Sequence, residues 1–354
     1  MRLKPENLLR IGDKQIGPGQ PAFFIAEAGV NHNGNVDNAK RLVEIAADAG
    51  ADAVKFQTFR AQELASSAAP KAKYQQDHSG ADESQLEMLK RLELSTEDFQ
   101  EIEKHARLRG IIFLSTPFDA ESVDMLNQLR IPAFKIPSGE ITNWPLLEHI
   151  AAKNKPVILS TGMSYLSEVE QAIGVIRAAG CSHLAVLHCT SNYPAAAASS
   201  NLRAMQTISE TFDVPTGLSD HTLGMEMAIA AVAMGARIIE KHFTLDKSLP
   251  GPDHQASLAP DELRSLIHSI REVESGMGDG IKRPTPSEEE TRDVARRSII
   301  TRQEILKGTT IERQMLVFKR PGNGIPPSKL AEIVGRKVTR TIPADSKLEF
   351  EDLS

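Results

Sequence analysis

One feature constrains this chain more than any other: a two-part pattern that recurs eight times. A short apolar run, rich in β-branched or aromatic residues, leads into a polar turn and then a stretch with apolar residues at helical spacing. The runs are Phe23–Ala26, Ala53–Phe56, Ile111–Leu114, Ala133–Ile136, Val157–Leu159, Leu184–Leu187, Pro215–Leu218 and Arg237–Glu240. Stretches such as Ser167–Ala179 and Met225–Met234 carry the helical pattern, and Gly50, Gly110, Gly180 and Gly235 stand where helices should stop. Eight strand–helix units in about 250 residues is the arithmetic of an α/β fold of the (β/α)8 TIM-barrel type. A doubly wound open sheet rarely needs so many regular units.

Composition narrows the function classes. The 354 residues are 40% hydrophobic, enough to bury a full core, and the net charge of −6 argues against a general nucleic-acid binder. The longest apolar run, Met227–Ala236, is about half a bilayer span, so no membrane crossing is expected. The opening residues lack the apolar stretch of a secretory signal, and Cys181 and Cys189 are too few for a disulfide framework. A cytoplasmic location is the matching expectation.

Two stretches break the alternation. Residues 60–94 are too long and polar for a barrel loop, and they read as an excursion over the barrel mouth. Gly276–Gly280 and Pro284–Glu290 have linker composition, which divides the chain into a barrel over 1–282, a linker over 283–293 and a small β-rich domain over 294–354. Residues 291–344 carry 12 Lys and Arg against 4 Asp and Glu, a basic module behind an acidic barrel. Such a module is either a solvated face or a help in holding an anionic substrate.

In a barrel, the C-terminal strand ends converge on one mouth, and here those ends are crowded with polar groups. Lys55 and Lys135 lie inside apolar strands, where an inward ammonium needs an anion to offset its desolvation. With Thr116, Ser138, Ser160 and Ser219 nearby they make a phosphate and carboxylate cradle, or one of them a Schiff-base nucleophile. His221 and His242 end consecutive strands about 4.8 Å apart. They suit one divalent ion, with Glu140 or Asp253 completing its shell. There is no phosphate-binding Gly-rich loop, dinucleotide fingerprint or zinc-finger spacing.

These motifs, in order, resemble the sialic acid synthase family: Ile25–Gly34, Val54–Thr58, Lys135–Glu140, Ser160–Ser164, His188–Ser191, Leu218–Thr222 and Glu240–Thr244. The tail, with Ala295–Ser298 and Arg320–Ile325, resembles the antifreeze-like (SAF) domain of that family. The resemblance implies a transferase that condenses phosphoenolpyruvate with an N-acetylated aldose, typically N-acetylmannosamine, and water. The products would be N-acetylneuraminate, or a related nonulosonic acid, and phosphate, with C–O cleavage. It implies that Lys55, Thr116, Lys135, Ser138, Ser160 and Ser219 hold phosphoenolpyruvate, and that His221 and His242 bind a divalent metal, usually Mn2+, with Mg2+ or Co2+ as alternatives. Glu140 matches the general base, and Glu27, Gln57, Tyr193 and Asp253 match the sugar contacts. Arg320 matches an arginine that reaches the N-acetyl group from the partner subunit of a domain-swapped homodimer. The chain departs from the pattern at Ser191, a phosphoenolpyruvate contact where some members place Asn; Asn192 stands next to it. Rival readings are a legionaminic or pseudaminic acid synthase acting on a 2,4-diacetamido-trideoxyhexose, a condensing enzyme for phosphorylated sugars, and a class I aldolase using Lys135 or Lys241.

Overall fold

The computed structural model describes residues 8–71 and 83–354, so the first seven residues and the middle of the 60–94 excursion lie outside the described residues. A hairpin of β1 (Leu9–Ile11) and β2 (Lys14–Ile16) comes first. Eight parallel strands follow: β3 (Phe23–Gly29), β4 (Ala53–Thr58), β5 (Ile112–Pro117), β6 (Phe134–Ile136), β7 (Val157–Ser160), β8 (Leu184–Cys189), β9 (Thr216–Asp220) and β10 (Ile238–His242). Their order is β5-β4-β3-β10-β9-β8-β7-β6, so the last strand pairs with the first, as a barrel requires. β5 and β6 complete the ring side by side, without a shared hydrogen-bonded ladder.

Local chemistry explains the helices between the strands. Asn35 caps the helix Val36–Asp48 by accepting from the Asn38 N–H at 3.0 Å. That helix buries Ala39, Leu42, Val43 and Ala46, the spacing of one helical face. It stops at Gly50, whose φ of +84° suits a residue with no Cβ. Ser95 and Asp98 cap Thr96–Leu108 reciprocally.

The chain divides at Gly278 into two units. In the second, β11 (Ser298–Thr301) pairs antiparallel with β12 (Leu316–Lys319). Ile299, Ile305, Ile311, Leu316, Ile333 and Leu348 are among the residues of its own core. Within and just beyond the stretch expected as linker over 283–293, Pro286–Ala295 is helical. Proline at its start tolerates the missing N–H, and the Glu288 carboxylate accepts from the Thr285 N–H at 2.8 Å.

The strand alternation sorts barrel side chains into two cores. Phe24, Val54, Phe113, Phe134, Val157, Val186 and Ile239 face the helices. Their neighbours Ile25, Ala53, Leu114, Ala133, Ile158, Ala185 and Ile238 face inward and form one cluster with Leu9, Ile11 and Ile16 of the hairpin. The hairpin therefore plugs the N-terminal end of the barrel. Ile11 is fully buried there, so Ile11→Ala should lower unfolding stability by about 2–5 kcal/mol in denaturant melts. A loss under about 1 kcal/mol would mean that the plug packs loosely.

Candidate active site

Carrying the inward parity one step up each strand changes its chemistry from apolar to polar. Glu27 follows Ile25, Lys55 follows Ala53, Thr116 follows Leu114, Lys135 follows Ala133, Ser160 follows Ile158, Cys189 follows Leu187 and Glu240 follows Ile238. All of them line one cavity of about 400 Å3 at the C-terminal strand ends. Its floor is a charged cluster. Lys55 Nζ lies 2.8 Å from Glu27 and 3.7 Å from Glu240, and donates to Thr116 Oγ1 at 2.8 Å. Lys135 Nζ is 3.3 Å from Glu240, whose carboxylate also accepts from Ser219 at 3.2 Å.

Burial works against every charge here, and the pairings decide which survive. Burial raises the Glu240 pKa, but Lys135 and Lys55 outweigh it and bring the group down to about 2. Glu27 is buried beside the same lysines and next to Glu240; burial wins, and its pKa rises from 4.5 to about 7. Burial also pulls on the Lys55 ammonium, yet the two carboxylates leave its pKa raised, whereas at Lys135 burial prevails and lowers it. The two glutamates are thus split, one firmly ionised and one able to carry a proton near neutrality.

Above the floor stand the imidazoles. The His221 and His242 ring centroids are 5.4 Å apart, and the Tyr193 ring lies 4.1 Å from His221 and 5.6 Å from His242. His221 Nδ1 donates to the Thr190 carbonyl at 2.9 Å, so that in the neutral ring Nε2 is the nitrogen with the lone pair; burial works against the charged form, but Cys189 and that carbonyl outweigh it and leave the His221 pKa raised. His242 Nδ1 is buried with no hydrogen-bond partner, and an Asp253 carboxylate oxygen lies 3.9 Å away. Burial, with the positive charges of His221 and Lys55, holds the His242 pKa well below its usual value, which keeps the ring in its ligating form. This donor set fits a divalent ion. Among the described residues no three His, Cys, Asp or Glu side chains stand together as a ready ligand set, so two imidazoles are the firm part of it.

Gln57, Ser138 and Ser191 also line the cavity, and Asn192 does not. Ser138 Oγ accepts from the Gly162 N–H at 2.8 Å. A Cβ on Gly162 would lie 2.1 Å from Ser191 Oγ, so this wall closes only around a glycine. Two expected site residues fall outside the lining. Glu140 ends the turn Ser138–Glu140 and accepts from Asn143 Nδ2 at 2.6 Å, while Arg320 belongs to the second unit and donates to the Ala295 carbonyl at 2.9 Å.

Lys241, a Schiff-base candidate by sequence, points out of the cavity, where it is bound to Asp220 at 2.6 Å and to the Thr222 carbonyl at 2.8 Å. Three contributors have no role assigned from the sequence. Glu240, a polar strand end by sequence, and Cys189, a small core residue by sequence, both enter the lining by strand parity. The excursion supplies the third, an apolar wall of Leu64, Met88, Leu89 and Leu92.

Comparison with known proteins gives the family. Residues 42–282 match the NeuB family and residues 296–354 the SAF domain. The N,N'-diacetyllegionaminic acid synthase of Legionella pneumophila is 48% identical over 346 residues, 97% of each chain. The N-acetylneuraminate-9-phosphate synthase of Mus musculus is 35% identical over 340 residues, 96% of this chain and 94% of that one. Among solved structures, the N-acetylneuraminic acid (sialic acid) synthetase of Leptospira borgpetersenii, in complex with citrate, is 34% identical and superposes with a TM-score of 0.71. That match covers 80% of this chain and 94% of the other. The chain belongs to the NeuB family, the sialic acid synthase family of transferases, and carries a C-terminal SAF domain.

Proposed function

We propose that the chain condenses phosphoenolpyruvate with an N-acetylated aldose and water to give a nonulosonic acid and phosphate. One observation carries the reading. Ser160 Oγ, one Glu240 oxygen and His242 Nδ1 are buried around one cavity with no hydrogen-bond partner, beside two ammonium groups. Polar groups left so in the protein alone are set for a polar ligand, and the two ammonium groups beside them for an anionic one. Lys55 and Lys135, with Thr116, Ser138, Ser160, Ser191 and Ser219, would hold the phosphate and carboxylate. Glu27, Gln57, Tyr193 and Asp253 would orient the sugar. A divalent ion at His221 and His242, Mn2+ before Mg2+ or Co2+, would supply Lewis-acid polarisation of the aldehyde.

In the reaction, C3 of the enol attacks the aldehyde carbon, and the aldehyde oxygen takes up a proton to become a hydroxyl. Water adds to the cationic C2 and loses one proton, the bond from C2 to the bridging oxygen breaks, and the C2 hydroxyl becomes the keto group as its proton passes to the departing phosphate. The resemblance assigns the proton acceptor to Glu140; Glu27 is the second candidate, supported by its place in the cavity and its pKa of about 7. For the acceptor sugar we favour a 2,4-diacetamido-trideoxyhexose, in keeping with the legionaminic acid synthase likeness. N-Acetylmannosamine is the second reading, supported by the likeness to the Leptospira synthetase. The same reading includes a swapped homodimer in which the partner's Arg320 meets the N-acetyl group.

The decisive experiment is phosphate release with phosphoenolpyruvate and each sugar, before and after EDTA. Activity should vanish with chelator and return with Mn2+. Trapping of a pyruvate adduct by borohydride, with activity untouched by EDTA, would instead establish the aldolase.

Two further outcomes are expected. Glu140→Gln should lower kcat by about 10²–10⁴-fold if Glu140 is the base; a near-normal kcat would move that role to Glu27. Protonated Glu27 leaves Lys55 free for substrate, whereas ionised Glu27 competes for it. The KM for phosphoenolpyruvate should therefore climb as pH rises through about 7, by at most about tenfold per unit, and the climb should be absent in Glu27→Gln. The substrate phosphate titrates identically in both proteins, so the difference isolates Glu27. Because its folded pKa is the higher one, Glu27 also makes stability fall as pH rises from 4.5 to about 7, a slope that Glu27→Gln removes.

A further inference from the structure

Two loops at the barrel mouth are laced together by buried side chains that do not line the cavity. The loop after β3 carries Asn31 and Asn33, and the loop after β10 runs from Thr244 to Ser257. Asn31 Nδ2 donates to the Phe243 carbonyl at 2.8 Å and to Ser257 Oγ at 3.0 Å. Ser257 Oγ donates in turn to the Asp253 carbonyl at 2.7 Å. The fully buried ring of His254 makes the remaining ties. Asn33 Oδ1 can only accept, so His254 Nε2 carries the ring proton and donates to it at 3.2 Å, while Nδ1 accepts from the Thr244 hydroxyl at 2.6 Å. A Cβ on Gly251 would lie 2.7 Å from His254 Cδ2, so the loop packs against this imidazole without slack.

What the lacing holds is Asp253. This residue comes just before His254, and the chain is fixed on both sides of the peptide that joins them. The Asp253 carbonyl is held by Ser257, and the His254 ring by Thr244 and Asn33. The Asp253 carboxylate is buried, lines the cavity and stands 3.9 Å from His242 Nδ1. That gap is longer than a hydrogen bond, yet short enough to favour a cation at the imidazoles and to bias the turn of the ring. A carboxylate free to swing away would do neither. The condensation chemistry itself uses none of Asn31, Asn33, Thr244, His254 and Ser257.

We propose that His254 is a positioning residue: pinned between Thr244 and Asn33, it keeps the Asp253 carboxylate at His242, and the hold of the imidazole pair on a divalent ion depends on that pin. This rests on the reading above that His221 and His242 take such an ion. Groups that orient a ligating imidazole from outside the coordination shell are worth about 10–100-fold in metal affinity. His254 touches neither imidazole in this chain of contacts, so its whole effect must pass through Asp253.

The test is a calorimetric titration of the full chain with Mn2+ alone, without substrates. His254→Ala and Asp253→Asn should each raise the Kd by about 10–100-fold. Adding His254→Ala to Asp253→Asn should change it by no more than about twofold, because both act by one route. Should His254→Ala not fold, Thr244→Val removes only the hydroxyl that meets Nδ1 and carries the same expectation, alone and on the Asp253→Asn background. A Kd unmoved by either single change would overturn the pin, even with a lowered melting temperature, and so would losses that add in the double variant. At saturating Mn2+ the KM for phosphoenolpyruvate should stay at its wild-type value in His254→Ala, since the lysines of its cradle lie on β4 and β6. A KM that rises as far as the Mn2+ affinity falls would mean a general collapse of the mouth and would overturn the assignment. Wild-type protein that takes up no Mn2+ would remove the ion reading and the pin together. Mn2+ bound in that way, with no phosphate released from phosphoenolpyruvate and any of the sugars, would overturn the condensation reading alone.

Discussion

The structure turns on a buried arrangement of four ionisable groups whose charges do not cancel while Glu27 is protonated. Two ammonium groups share one firmly ionised carboxylate, with Glu240 lying 3.7 Å from Lys55 and 3.3 Å from Lys135. The fourth group, Glu27, is neutral or anionic depending on pH near 7. Each buried ion carries a desolvation penalty of several kcal/mol, which only close opposite charge or a ligand can offset. The barrel supplies what makes such a cluster tolerable: fixed strand ends below the mouth and an apolar layer sealed by the hairpin. The residual positive charge is what an anionic substrate would complete. Fold and site are linked through this deficit.

Much of this is legible in the sequence because a strand obeys a parity rule. Once Ala53, Ala133 and Ile158 are taken as inward, Lys55, Lys135 and Ser160 follow without further information. The same rule finds Glu240 from Ile238 and Cys189 from Leu187. Both are easily passed over, because the histidines beside them dominate their motifs. Parity also turns Lys241 outward, since it sits between two inward residues, and this removes the basis for using it as a Schiff base. The choice between Ser191 and Asn192 falls the same way, with Ser191 on the cavity side.

What sequence could not supply lies where parity has no hold. Glu140 follows a short turn after β6, and the direction of its carboxylate depends on Asn143, three residues on. The excursion is a polar loop by composition, yet the two helices among its described residues each turn an apolar face to one side. A helix needs only every third or fourth residue to be apolar, so average polarity hides the wall. Arg320 lies in a unit with a core of its own, and no pattern within the barrel points to it.

The outward pair of Lys241 and Asp220 has a consequence for how the site responds to damage. Each residue is the chain neighbour of an imidazole, Asp220 before His221 and Lys241 before His242, and their 2.6 Å contact clamps the two strands from behind. The clamp sets the gap between the rings without touching anything that reacts. A mutational scan scored on turnover would rank Lys241 with the catalytic groups. A lesion on the dry, outer side of the barrel would thus be read as chemistry, although what it alters is spacing.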